Sequence, residues 1–216
     1  MAIPELPEEY DQLDQWKTLM FLYNAALQEI QTRVNILSDE FQHINHYNPI
    51  EHVKARIKTA ESIVKKLKRL GFEATIDNMY RELHDIAGIR IICSFTSDIY
   101  YLAGAISRQN DIEVLMVKDY IANPKPNGYR SYHMVVSVPI YLSSGQVEMK
   151  VEIQIRTIAM DFWASLEHKI HYKFEGDAPA HMRENLKECA DMVAVLDERM
   201  MALNASLQQA GEEKQV

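Results

Sequence analysis

The chain has 216 residues, 47% hydrophobic and 25% charged, with a net charge of −8. That length suits one globular domain with a real core, and the acidic balance argues against a broad surface for nucleic acid, which is usually basic. No apolar run approaches the roughly 20 residues that span a bilayer. The segment from Met1 to Glu9 is acidic and carries prolines, with no basic start and no apolar stretch, so no secretion signal is expected. Cys93 and Cys189 both sit among apolar neighbours. They read as buried free thiols, which fits a cytoplasmic location.

The first element is a long amphipathic helix over about residues 10–46. Trp16, Met20, Tyr23, Leu27, Ile30, Val34, Leu37, Phe41 and Ile44 form a heptad seam, and His46-Tyr47-Asn48-Pro49 breaks it. Pro49 to Leu70 is basic and reads as helical in part, ended by Gly71. Within it Lys54, Arg56, Lys58, Lys65, Lys66, Lys68 and Arg69 face Glu61 alone. A solvated helix face and a local phosphate site explain that run equally well. Asn78 to Asp85 reads as a short helix. Gly88 to Phe95 is a buried strand. Thr96-Ser97-Asp98 carries N-cap chemistry for a helix through Ser107. Ile112 to Tyr120 is a strand, and Ile121 to Gly128 a loop. Ser131 to Ile140 and Gln146 to Arg156 make an antiparallel hairpin around Ser143-Ser144-Gly145. Ile158 to Tyr172 returns to helical spacing. A second seam follows over about residues 180–208: Leu186, Cys189, Val193, Leu196, Met200, Leu203 and Leu207. From Gln208 the tail is polar and expected to fray. The whole reads as one domain over 1–216, with a core of about 49–172.

Side chains on a strand alternate between faces. In the last strand Glu148, Lys150, Glu152, Gln154 and Arg156 share one parity, against an apolar alternate set. One such strand is explained as readily by a half-solvated sheet. Two others behave alike, however: Arg90 interrupts Ile89, Ile91 and Cys93, and Ser131 and His133 oppose Tyr132 and Met134. If the parities converge, Arg90, His133, Glu152, Gln154 and Arg156 share one surface suited to a nucleotide and its metal. The loop Asn123-Pro124-Lys125-Pro126-Asn127-Gly128-Tyr129 is stiffened by two prolines and offers a flat ring and a cation. A plain Pro-Asn-Gly turn has the same spacing.

The sequences Asp85-Ile86-Ala87-Gly88-Ile89-Arg90, Lys125-Pro126-Asn127-Gly128-Tyr129-Arg130-Ser131-Tyr132-His133 and Val151-Glu152-Ile153-Gln154-Ile155-Arg156-Thr157 closely resemble the synthetase signatures of the RelA/SpoT family. Arg56-Ile57-Lys58 with Ser62 and Lys66 resembles its ATP-binding helix. Met160 to His168 resembles the helix that follows the last strand. The resemblance runs from about Pro49 to Tyr172, and the chain looks like a small alarmone synthetase of the RelP-like type.

The resemblance implies an α+β fold with a mixed, nucleotidyltransferase-like sheet flanked by helices. It implies a GTP diphosphokinase, which moves the β,γ-diphosphate of ATP to the 3′-hydroxyl of GTP or GDP, with Mg2+ as cofactor. Arg56 and Arg90 would sandwich adenine. Lys58, Ser62, Lys66 and Arg69 would bind the ATP phosphates. Asp85 and Glu152 would hold magnesium, with Glu152 the candidate base. Tyr129 would stack on guanine, while Lys125, Asn127, His133, Gln154 and Arg156 would contact the acceptor. A homo-oligomer, in this family a tetramer, is implied, and both seams suit one. His84-Asp85 could pass for a hydrolase doublet. The residues before Pro49 read as a heptad helix, so no hydrolase activity is expected. His43 with His46, and His168 with His171, lack a third ligand and read as structural or surface histidines. Two rival readings are a nucleotidyltransferase attacking the α-phosphorus, and a non-catalytic nucleotide or RNA regulator. The second fits poorly with the acids Asp85 and Glu152, and RNA is not expected as the main ligand.

Overall fold

The structure, a computed structural model, describes residues 12–44, 46–173 and 179–212. The reading of Met1–Glu9 therefore lies outside the described residues, as does the side chain of His171. The elements run α1 (Gln12–Ile44), β1 (Ile50–Ile57), α2 (Ala60–Leu70), α3 (Ile76–Glu82), β2 (Ala87–Cys93), α4 (Thr96–Ser107), β3 (Glu113–Asp119), β4 (Tyr132–Leu142), β5 (Gly145–Thr157), α5 (Ile158–Lys173) and α6 (Ala180–Glu212). The strands form one mixed sheet in the order β1-β2-β5-β4-β3. Only β2 and β5 are parallel. The expected α+β architecture is thus present.

The region read as basic and helical in part is a strand followed by a helix. Val53, Ala55 and Ile57 alternate with Lys54 and Arg56, and the apolar set packs against the core. That period-two pattern is a strand signal which the cluster of positive charges obscured. Arg56 therefore stands on β1 and Lys58 just beyond it. Of the residues expected to bind the ATP phosphates, Ser62, Lys66 and Arg69 lie on α2. Thr59 starts this helix by accepting from Ser62 N at 3.3 Å, and Gly71 ends it at φ 83. The helix expected over Asn78–Asp85 begins earlier, at its Thr75 cap, and stops at Glu82. Extended backbone at Leu83 then releases His84 and Asp85 toward the sheet.

The core lies on the apolar face of the sheet. Met149, Val151, Ile153 and Ile155 are fully buried there, with Met134, Val136 and Val138 beside them. Helix α1 packs across this face onto β1, β2, β4 and β5. Five of its nine seam residues, Tyr23, Leu27, Ile30, Val34 and Phe41, are buried, and Trp16, Met20 and Leu37 pack against them. The first seam thus packs on the chain's own sheet. Helix α6 differs. Its buried side includes Ala190 and Asp197, while Met192, Leu196, Met200, Leu203 and Leu207 are 50–73% exposed. Cys93 is buried as read, but Cys189 faces outward and is exposed. Helical order on α6 runs through Glu212, past the point where fraying was expected.

Candidate active site

Strand register decides which polar residues meet. One row across the sheet is Lys54–Arg90–Gln154–His133–Lys118. The next is Arg56–Gly88–Glu152–Val135–Met116. The expected convergence of parities is therefore real. The solvated-sheet alternative fails on burial, because Lys150 and Arg156 on this parity are 7% and 4% exposed. Lys150 donates to Tyr80 O at 3.0 Å and Arg81 O at 3.2 Å. It caps the end of α3 and so supports the turn that carries Asp85. Gly88 lies between Arg56 and Glu152, and without a side chain it leaves the floor of the cleft bare.

That cleft, of about 140 Å³, is lined by Lys54, Arg56, Asp85, Arg90, Glu152 and Gln154 among others. Asp85 Oδ2 takes both Lys58 Nζ and Lys66 Nζ, the latter at 2.6 Å. Burial pushes the Asp85 carboxyl up, but the two lysines outweigh it and hold it below the usual range. Asp85 Oδ1 is buried and has no hydrogen-bond partner among the described residues. Glu152 accepts from His133 Nδ1 at 3.2 Å and from Gln154 Nε2 at 2.9 Å. Burial again pushes upward, and His133 and Gln154 bring the carboxyl below its ordinary value. Both acids are therefore ionised at neutral pH.

Beyond Glu152 a polar chain leads to the loop 121–130. His133 Nε2 lies 2.8 Å from Tyr129 Oη, which accepts from Arg156 Nη2 at 2.6 Å. Arg156 also donates to Gln154 Oε1 at 3.3 Å. Lys125 Nζ stands 4.7 Å from the Tyr129 and Tyr120 ring centroids. Asn127 is turned into the loop. Its Oδ1 accepts from Tyr129 N at 3.2 Å, and its Nδ2 donates to Glu167 Oε1 at 3.4 Å. Ser62 and Arg69 are exposed on α2, outside the cleft lining.

Two residues were missed as site members. Asp161 Oδ1 accepts from Arg90 Nη1 at 3.2 Å and Arg156 Nη1 at 3.1 Å. Two arginines on the buried parity of neighbouring strands require an anion, and Asp161 is an acid in the first turn of the next helix. Tyr120 shares Lys125 with Tyr129 and meets His133 edge-on at 5.2 Å. It ends the third strand's run directly before the loop, a position that carries no chemical signal of its own. His43, His46 and His168 do not line the cleft. His43, His46 and His168 are exposed, and no cluster of three metal-ligating side chains occurs among the described residues.

A family model described as the region found in RelA / SpoT proteins matches residues 55–177. The GTP pyrophosphokinase YwaC of Bacillus subtilis is 49% identical over 191 residues, covering 88% of this chain and 91% of that protein. The solved small alarmone synthetase 2 of Bacillus subtilis superposes with a TM-score of 0.81 at 47% identity, over 89% of this chain and 99% of that one. Small alarmone synthetase 1 of the same organism, solved with its product pppGpp, gives 0.83 at 34% identity, over 90% and 98%. The matched family region runs from the strand that carries Arg56, through both acids and the Tyr129 loop, into α5, and on these grounds the chain belongs to the RelA/SpoT family, as a small alarmone synthetase.

Proposed function

We propose that the polar sheet face is the site of a GTP pyrophosphokinase, with ATP as donor and GTP or GDP as acceptor, making pppGpp or ppGpp and AMP. The observation that carries this reading is the shared cleft of Asp85, Glu152, Arg56 and Arg90, continuous through His133 with Tyr129. Arg56 and Arg90 hold adenine between their guanidinium planes. Arg90 Nε is buried without a partner among the described residues. Lys58 and Lys66, with Ser62 and Arg69 along one stripe of α2, take the donor phosphates.

Tyr129 stacks on guanine after Lys125 moves from its ring toward phosphate. His133, Gln154 and Arg156 position the acceptor. Asn127 shapes the loop. Glu152 takes the proton of the 3′-hydroxyl as its oxygen attacks the β-phosphorus. The bond from that phosphorus to the α,β-bridging oxygen breaks, and AMP leaves with the electron pair.

The two acids suit a magnesium ion. The buried Asp85 Oδ1 lacks a partner, and magnesium takes one or two carboxylates and completes its shell with substrate phosphates and water. When bound, the ion supplies charge neutralisation on the phosphates. The exposed stripe of α6 is the assembly surface of a homo-oligomer, a tetramer in this reading. The two free thiols, one of them exposed, suit the reducing cytoplasm. Chromatography of nucleotides after incubation with ATP, magnesium and each guanine nucleotide tests the proposal.

A further inference from the structure

The loop that carries Tyr129 does not stand free. It rests on α6, and the contact is at closest approach. Gly128 is buried with φ 86, and a Cβ built on it would lie 2.5 Å from Ala190 Cβ and 3.6 Å from Lys187 O. No side chain larger than hydrogen fits at position 128, and little larger than methyl fits at 190. The loop itself is a braced unit. Gly128 N donates to Lys125 O at 2.8 Å, Lys125 N to Tyr129 O at 3.2 Å, and Asn127 Oδ1 receives Tyr129 N. A push on Gly128 therefore moves Tyr129 with it.

Helix α6 is pinned on both sides of Ala190. Trp163 Nε1 donates to Leu186 O at 2.8 Å, and Thr157 Oγ1 donates to the buried Asp197 at 2.6 Å. Tyr129 also packs against the small cluster of Trp163, Ala164 and Ala190. These two bonds fix the stretch of helix on which the loop rests.

We propose that α6 is the seat of the acceptor loop, and that Ala190 is a positioning residue whose size sets where the Tyr129 ring stands. The inference rests on the reading of this loop as the acceptor site. It gives α6 two separate tasks: the inner face holds the loop, while the apolar stripe formed by Met192, Leu196, Leu203 and Leu207 lies on the exposed side. Ala190→Leu keeps a strong helix former in α6, yet inserts bulk where the loop rests.

The test measures binding of GDP and of a non-hydrolysable ATP analogue by calorimetry, on the full chain. Ala190→Leu is expected to weaken GDP roughly tenfold or more, as misplaced positioning groups do, and to leave the ATP analogue near its wild-type value. Ala190→Ser, close to alanine in size, should restore GDP binding. Unchanged GDP binding in Ala190→Leu overturns the proposal. Equal loss of both ligands overturns it too, since that is general damage to the fold. Tyr129→Ala is the control. If it also leaves GDP unaffected, the assignment of the loop to the acceptor fails. If it weakens GDP while Ala190→Leu does not, only the seat fails.

Discussion

Arg90 and Arg156 donate to the same oxygen, Asp161 Oδ1, at 3.2 and 3.1 Å. One arginine faces the proposed adenine site, and the other bonds Tyr129 Oη. A single carboxylate thus joins the two halves of the site. Burial and the neighbouring Arg156 charge both lower the Arg90 pKa, and Asp161 opposes them. Asp161→Asn is expected to raise KM for both nucleotides and to lower stability by roughly 1–3 kcal/mol, the usual cost of weakening hydrogen bonds to a part-buried charged group. Steady-state kinetics with each substrate varied, alongside urea unfolding, check this. Unchanged KM values would show that the arginines hold their places without it.

Tyr129→Ala is expected to weaken acceptor binding by roughly 1–3 kcal/mol, the worth of one base–aromatic stack. Tyr129→Phe keeps the ring and gives up only the hydroxyl bonds to Arg156 and His133, so it should lose much less. Equal losses measured by calorimetry would assign the role to the hydroxyl instead of the ring.

Glu152→Gln preserves shape and can still accept from His133, but it removes the charge that takes the proton. Turnover is expected to fall by about a hundredfold or more, the low end for a lost general base. Thermal stability should change little. A variant with near-normal turnover removes Glu152 from the mechanism.

These expectations show where the sequence was informative. The parity of Glu152, Gln154 and Arg156, and of Arg90 and His133, was legible because strand alternation is local. Their meeting required register, which is set by pairing between distant segments. Arg56 was placed on a helix by the family resemblance, although the alternation from Val53 to Ile57 is a strand signal. Asp161 went unassigned because its partners lie on two strands. The α1 seam was legible as apolar, but periodicity alone does not say whether a seam meets its own sheet or another chain. Burial of Leu27 at 5% exposure against 59% for Leu203 separates the two helices.

Leu203→Glu therefore tests assembly. It places a charge in the exposed stripe of α6 without touching the chain's own core. Light scattering is expected to show a drop toward monomer mass, with the far-ultraviolet circular dichroism unchanged. An unchanged mass would move the assembly surface elsewhere.

His84 gives a pH prediction. Burial first, then the Lys150 and Lys66 charges, hold its pKa below the ordinary histidine value of 6.5. The folded state thus prefers the neutral ring. Its contribution to stability is present above pH 6.5 and is lost as pH falls through the lower folded value. His84→Asn should flatten the acid side of the thermal-midpoint curve between neutral and mildly acid pH. Parallel curves for the two proteins would show that His84 does not titrate with unfolding.

The central claim is transfer of a diphosphate from ATP to a ribose 3′-hydroxyl. The most direct measurement is product chromatography with ATP, magnesium and GTP or GDP, with a 3′-deoxy acceptor as control. AMP and a guanine nucleotide with a new 3′-diphosphate are expected, formed one for one, with no product from the deoxy acceptor. Release of inorganic pyrophosphate in place of AMP would mean attack at the α-phosphorus and would contradict the claim.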